Sequence, residues 1–103
     1  MSARELVSTG GWPEGYTFSP ALRVGNLLFI SGTTAGDRTG KIVAPGDIVG
    51  QTRYIYQKFA RLLAAAGAAF EQPPYPTATG VIVAGLLREG ALIEISAVAV
   101  LPG

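Results

Sequence analysis

Between positions 48 and 66, apolar and small residues return at steps of four and three: Ile48, Thr52, Ile55, Phe59, Leu62 and Ala66. That period puts them on one face of an α-helix. Pro45-Gly46-Asp47 supplies a helix start with Asp47 as N-cap, and Gly67 suits the left-handed position just past the last turn. Elsewhere the strand signal dominates. Residues 21–24 and 27–31 flank Gly25-Asn26, a pair that accepts the positive φ of a tight hairpin. A polar turn over 35–40 then leads to a short third strand at 41–44, making the N-terminal half a small antiparallel meander. Residues 79–84 and 92–101 are rich in β-branched and apolar types, which predicts two further strands joined by a loop at 87–90, both buried on two faces. Gln72-Pro73-Pro74-Tyr75-Pro76 forces an extended loop, and the breaker-rich stretch 10–15 predicts an irregular lead-in arm anchored by Trp12. Strands, one long helix and strands again make an α+β chain.

Length and composition narrow this picture. The 103 residues suit a single domain spanning 1–103 with a modest core. At 49% hydrophobic and 15% charged, with mean hydropathy +0.36, the chain is too apolar for disorder and apolar for a lone monomer, so part of its surface is expected to be buried against copies of itself. Eight Lys and Arg against seven acids leave +1, so no basic field exists to draw in nucleic acid or an anionic membrane, and neither is expected as a partner. The longest apolar run is too short to span a bilayer, and residues 1–15 lack the apolar core of a signal peptide, so a cytoplasmic location is expected.

Histidine and cysteine are both absent. That excludes His-based triads, thiolate nucleophiles and nearly every zinc constellation, and leaves carboxylates, hydroxyls, Lys, Arg and backbone groups to carry any chemistry; no metal or cofactor is expected. In the last strand, alternation puts Leu92, Glu94, Ser96, Val98 and Val100 on one face and Ile93, Ile95, Ala97, Ala99 and Leu101 on the other. Glu94 is therefore an acid among apolar neighbours. It must look into water, pair with a cation, or sit in a pocket suited to acid/base work. Thr77 and Thr79 could line such a pocket, although threonine is also an ordinary strand residue. Ser31-Gly32-Thr33-Thr34 exposes hydroxyls and backbone N–H groups, but without a Lys or a following helix it reads as a turn rather than a phosphate loop. Tyr54, Tyr56 and Phe59 read as packing residues.

Three separated motifs resemble the Rid family (the YjgF/UK114 group): residues 18–32 with Ser19-Pro20-Ala21 and Arg23-Val24-Gly25-Asn26, then Gln51-Thr52-Arg53 with the following helix and Ala64-Ala65-Ala66-Gly67-Ala68, and residues 90–100 as the closing strand. The resemblance implies a chorismate-mutase-like fold assembled as a homotrimer, with small-molecule clefts between subunits. It also implies a deaminase-like hydrolase, in which a water held by the closing-strand Glu attacks the carbon of a 2-imino acid. Glu94 matches that residue. Gly32 matches the glycine whose backbone faces the ligand, and Phe18 matches the aromatic cover, without the usual hydroxyl. Thr33, Ala78, Thr79 and Gly80 complete the implied substrate-binding set.

Two departures stand out. The family's carboxylate-clamping Arg falls at Ala78 in Pro76-Thr77-Ala78-Thr79, so hydrolysis of simple 2-imino acids is not expected unless Arg23, Arg53 or Arg88 of a neighbouring subunit replaces it. Between 72 and 73, family members carry roughly thirty more residues, enough for a strand and a second helix of ordinary length. The reading is a Glu94-dependent hydrolase of imine or enamine metabolites. The alternative is a non-catalytic ligand-binding or interaction protein, and ribonuclease activity comes third.

Overall fold

A computed structural model of the chain describes residues 4–9, 18–67, 77–81, 86 and 88–101, with the stretch 77–81 described as backbone. Five strands and one helix make an α+β arrangement: β1 (Glu5–Val7), β2 (Ala21–Val24), β3 (Leu27–Thr33), α1 (Ile48–Ala65), β4 (Thr77–Val81) and β5 (Glu94–Val100). The sheet runs β1-β2-β3-β5-β4, antiparallel throughout. The expected hairpin forms at Gly25-Asn26, where Gly25 takes φ +60°.

The helix starts where its cap predicts. Asp47 is extended, and its carboxylate accepts the Gly50 N–H at 3.0 Å, satisfying one of the amides that a first turn leaves without a helical partner. Gly67 closes the far end at φ +83°. One face of α1 buries Ile55, Phe59, Leu62 and Leu63 against Leu28, Ile30, Ile95, Ala97, Ala99 and Leu101 of the sheet. Ile48 departs from the expectation and is exposed, and Gln51 takes the buried place instead.

Four further expectations are corrected. No third strand forms at 41–44: Ile42 makes only an isolated bridge to Gly36, and Ala44 turns to φ +49° directly before Pro45, which ends any extended ladder. A strand missed in the sequence, β1, pairs with β2 and buries Val7. Residues 31–33 are not a turn but the end of β3, drawn out by a register shift between Ile30 and Thr33. β5 is buried on one face, not two, since α1 covers only the side of Ile95, Ala97 and Ala99, leaving Ser96, Val98 and Val100 exposed. The expected arm with Trp12 and the proline loop at 72–76 lie outside the described residues, and of the strand expected at 79–84 the described part is β4, which starts at Thr77.

The uncovered face is continuous. Strand register lines up Leu6, Leu22, Phe29 and Val98 in one row across four strands, with Val24, Leu27 and Val100 in the next. Phe29 is 44% exposed and Val100 57%. Glu94 shares the strand face of Val98 and Val100.

Candidate active site

The end of β3 and the start of β5 meet at the register shift. Leu27 to Ile30 pair regularly with Val100 to Ala97, after which Thr33 pairs with Ile95, so Ser31 and Gly32 together span one position of the partner strand. An extra residue of this kind re-aims the chain locally. Gly32 consequently faces Glu94: a Cβ built on Gly32 would lie 2.5 Å from Glu94 Oε1 and 3.0 Å from its Cδ. Only glycine lets the carboxylate lie against this backbone.

Hydrogen bonds bring the segment before β2 to the same place. The Ser31 hydroxyl donates to the Ser19 carbonyl and the Ser31 N–H to the Pro20 carbonyl, the latter at 3.0 Å. Phe18 is thereby carried to the cleft that Gly32 lines, half of its surface exposed. The Thr33 hydroxyl, buried, donates to Ser31 O at 2.7 Å, which holds the irregular turn of backbone. Phe18, Gly32, Thr33 and Glu94 line one cleft of about 840 Å³. Ala78, Thr79 and Gly80 lie on β4 in register with Ala97, Ser96 and Ile95, alongside the Glu94–Val81 pair; their side chains are outside the described residues.

The cleft also holds residues that, Arg88 apart, the sequence did not single out. Five of the chain's eight Lys and Arg line it: Arg38, Lys41, Lys58, Arg61 and Arg88, against Asp37, Glu89 and Glu94. The low net charge concealed this clustering, which depends on a helix, a loop and a turn converging. Lys58 Nζ donates to Thr34 O at 2.9 Å and stands 5.5 Å from the centre of the Tyr54 ring. Burial, aided by Arg61 and opposed by Asp37, holds its pKa below the usual lysine value. Arg88 donates to Gly40 O at 2.6 Å. Of the three arginines considered as replacement clamps, Arg88 lines the cleft of its own chain, whereas Arg23 bonds Gly25 O and Ala66 O and Arg53 lies on the outer surface of α1.

The loop forming one wall is internally braced. Asp37 Oδ1 accepts from Thr39 Oγ1, Thr39 N and Lys41 N, and these bonds, that of the Thr39 hydroxyl foremost, hold the Asp37 carboxyl below the usual carboxylate range. The fully buried Gln51 holds the neighbouring segment: Nε2 donates to Ala44 O and Gly90 O, and Oε1 accepts Leu92 N at 2.9 Å. No group of acids able to hold a metal occurs among the described residues.

Residues 14–72, more than half of the chain, match the family model described as Endoribonuclease L-PSP. The chain belongs to this family, which the Rid resemblance had indicated. The RutC family protein PH0854 of Pyrococcus horikoshii is 39% identical over 66 residues, 62% of this chain and 52% of that protein, so the match spans about half of the relative's length. Among solved structures, the Rid-family protein YyfA of Yersinia pestis is similar at TM-score 0.79 and 22% identity, covering 96% of this chain and 100% of that one. RidA from an Antarctic Psychrobacter follows at 0.76 and 23%, covering 95% and 100%. TdcF of E. coli, solved with bound serine, is similar at 0.74 and 23%, covering 95% and 99%. At these identities the likeness establishes the fold, and any activity has to be argued from the cleft.

Proposed function

We propose that this chain is a homotrimeric hydrolase of a small imine or enamine metabolite, with chorismate-mutase-like packing and Glu94 as its general base. The observation that carries the reading is the Glu94 carboxylate lying against the Gly32 backbone in a cleft flanked by Phe18. Glu94 takes a proton from water as the water oxygen attacks the C=N carbon. It passes that proton to the imine nitrogen to give the carbinolamine, then takes the carbinolamine hydroxyl proton and delivers it to the amine as the C–N bond breaks, leaving a carbonyl compound and ammonia. Phe18 offers a ring face to the planar substrate, and Thr33, Thr79 and Gly80 would line the remaining wall. A bound serine in TdcF is consistent with a small polar ligand in a fold of this kind.

Assembly rests on the uncovered row of Leu6, Leu22, Phe29 and Val98, an apolar strip across four strands that no described element of the same chain covers. Since Glu94 lies on that strand face, burying it between subunits would set the cleft at a boundary. The roughly thirty residues by which the chain is read as shorter than its family, between 72 and 73, would leave α1 as the main helical cover of the sheet.

The test is Glu94→Gln, which keeps shape and hydrogen-bonding reach but cannot cycle a proton. Turnover of an imine should fall by roughly 10²- to 10⁴-fold with ligand affinity little changed. Unchanged turnover would remove the only base in the reading. Ala78 favours a second reading, a ligand-binding protein without chemistry; it takes precedence if a panel of imines and enamines is bound but none is hydrolysed. Ala78→Arg should shift preference toward imines carrying an α-carboxylate, by supplying a bidentate partner.

A further inference from the structure

The clamp position carries Ala78, yet the same cleft gathers five cations. Their placement is specific. Lys58 and Arg61 stand three residues apart on α1, which puts them on neighbouring positions of one helical face, and both reach the cleft. Arg38 and Lys41 come from the braced loop across from them, and Arg88 is tied to the base of that loop through Gly40 O. Lys58 is half-buried, with one N–H directed at Thr34 O and the π face of Tyr54 beside it. An ammonium offers three N–H donors, so this described bond leaves capacity for an incoming anion. Burial has already removed part of its hydration, so an anion meeting it there displaces less water than at an exposed lysine.

Volume points the same way. In one subunit the cleft of about 840 Å³ leaves room, before any neighbour is added, for a metabolite larger than a 2-imino acid of amino-acid size, sites for metabolites spanning about 300 to 1,000 Å³. Glu94, Gly32 and Phe18 line it together with the helix-borne Lys58 and Arg61.

We propose that Lys58 and Arg61 bind an anionic group, carboxylate or phosphate, carried by the substrate at a distance from its C=N carbon, in place of the α-carboxylate that an arginine at position 78 would hold. This rests on the hydrolase reading and names its substrate class: imines or enamines bearing a remote negative charge. The corresponding keto products serve as stable probes.

Calorimetric titration of the intact protein with four compounds separates the possibilities: 5-oxohexanoate (remote carboxylate), dihydroxyacetone phosphate (remote phosphate), pyruvate (α-carboxylate only) and 2-hexanone (neutral). One of the two remote anions should bind more tightly than both pyruvate and 2-hexanone, and whichever does so identifies the anionic group. Lys58→Gln, which keeps a donor for Thr34 O, should weaken that binding about tenfold to a hundredfold, as loss of a charge-assisted bond does. Arg61→Gln supplies the same reading if Lys58→Gln fails to fold. The proposal is overturned if neither remote anion outbinds 2-hexanone at millimolar concentration, or if both helix substitutions leave affinity unchanged. Those failures leave Glu94-dependent turnover of neutral imines standing. Conversely, turnover insensitive to Glu94→Gln, with Lys58-dependent anion binding intact, removes the hydrolase and keeps the anion site.

Discussion

Gly32 and Gln51 show how single residues set this site. At Gly32 the absent side chain leaves the space that the Glu94 carboxylate occupies. Gly32→Ala should therefore leave the fold nearly unchanged, because the group it meets is the free end of a flexible side chain, while displacing the proposed base. Circular dichroism and thermal midpoint are expected to hold, and imine turnover to fall at least about tenfold, a transition-state loss near 1.4 kcal/mol. A large drop in stability with full residual activity per folded molecule would contradict this. Gln51 works in the opposite sense. It is a fully buried amide whose nitrogen and oxygen both have partners, on three different backbone groups, so that polar burial is offset and the start of α1 is joined to the approach to β5. Glu94 inherits its position from that approach.

At the scale of elements, α1 is the part that both the core and the cleft depend on. It packs Ile55, Phe59, Leu62 and Leu63 onto the sheet and turns Lys58 and Arg61 toward the cleft wall. Its first turn relies on the Asp47 carboxylate at the Gly50 N–H. Asp47→Ala should cost about 1 kcal/mol of stability. For a domain of about 100 residues that is a fall in thermal midpoint of roughly 4 to 8 °C. Asp47→Asn, which retains an accepting oxygen, should recover most of it. A null result in both would mean that the cap is not stabilising the helix. The β3–β5 pair is the other critical element, because its register shift turns Gly32 toward Glu94.

For the whole molecule, the decisive feature is a sheet that the described residues cover on one face. α1 occupies the side of Ile95, Ala97 and Ala99, while Phe29, Val98 and Val100 remain exposed at 44%, 39% and 57%. Charging this strip should break a self-assembly built on it. Phe29→Lys combined with Val98→Asp is expected to shift the sedimentation mass of the proposed trimer toward monomer at micromolar concentration, and to lower turnover in parallel if the cleft is completed by a neighbour. An unchanged mass would place the subunit contact elsewhere on the chain.

The extent of α1, the caps at Asp47 and Gly67, the β2–β3 hairpin and the alternation of β5 were legible in the sequence because each depends on residues within a few positions of one another: a period of 3.6 or 2, a capping carboxylate, a glycine at positive φ. Glu94 stood out for a similar local reason, as the lone acid in an apolar strand. The short β1 and the failure of residues 41–44 to form a strand were not legible, since a three-residue strand exists only through its partner and Ile42 finds just one. The single-sided burial of β5 depends on what lies above and below the sheet, which alternation cannot specify. The cationic wall is the clearest case of this kind: Arg38, Lys41, Lys58, Arg61 and Arg88 are spread over 51 positions in a chain of net charge +1, and only the packing of helix, loop and turn brings them to one cleft.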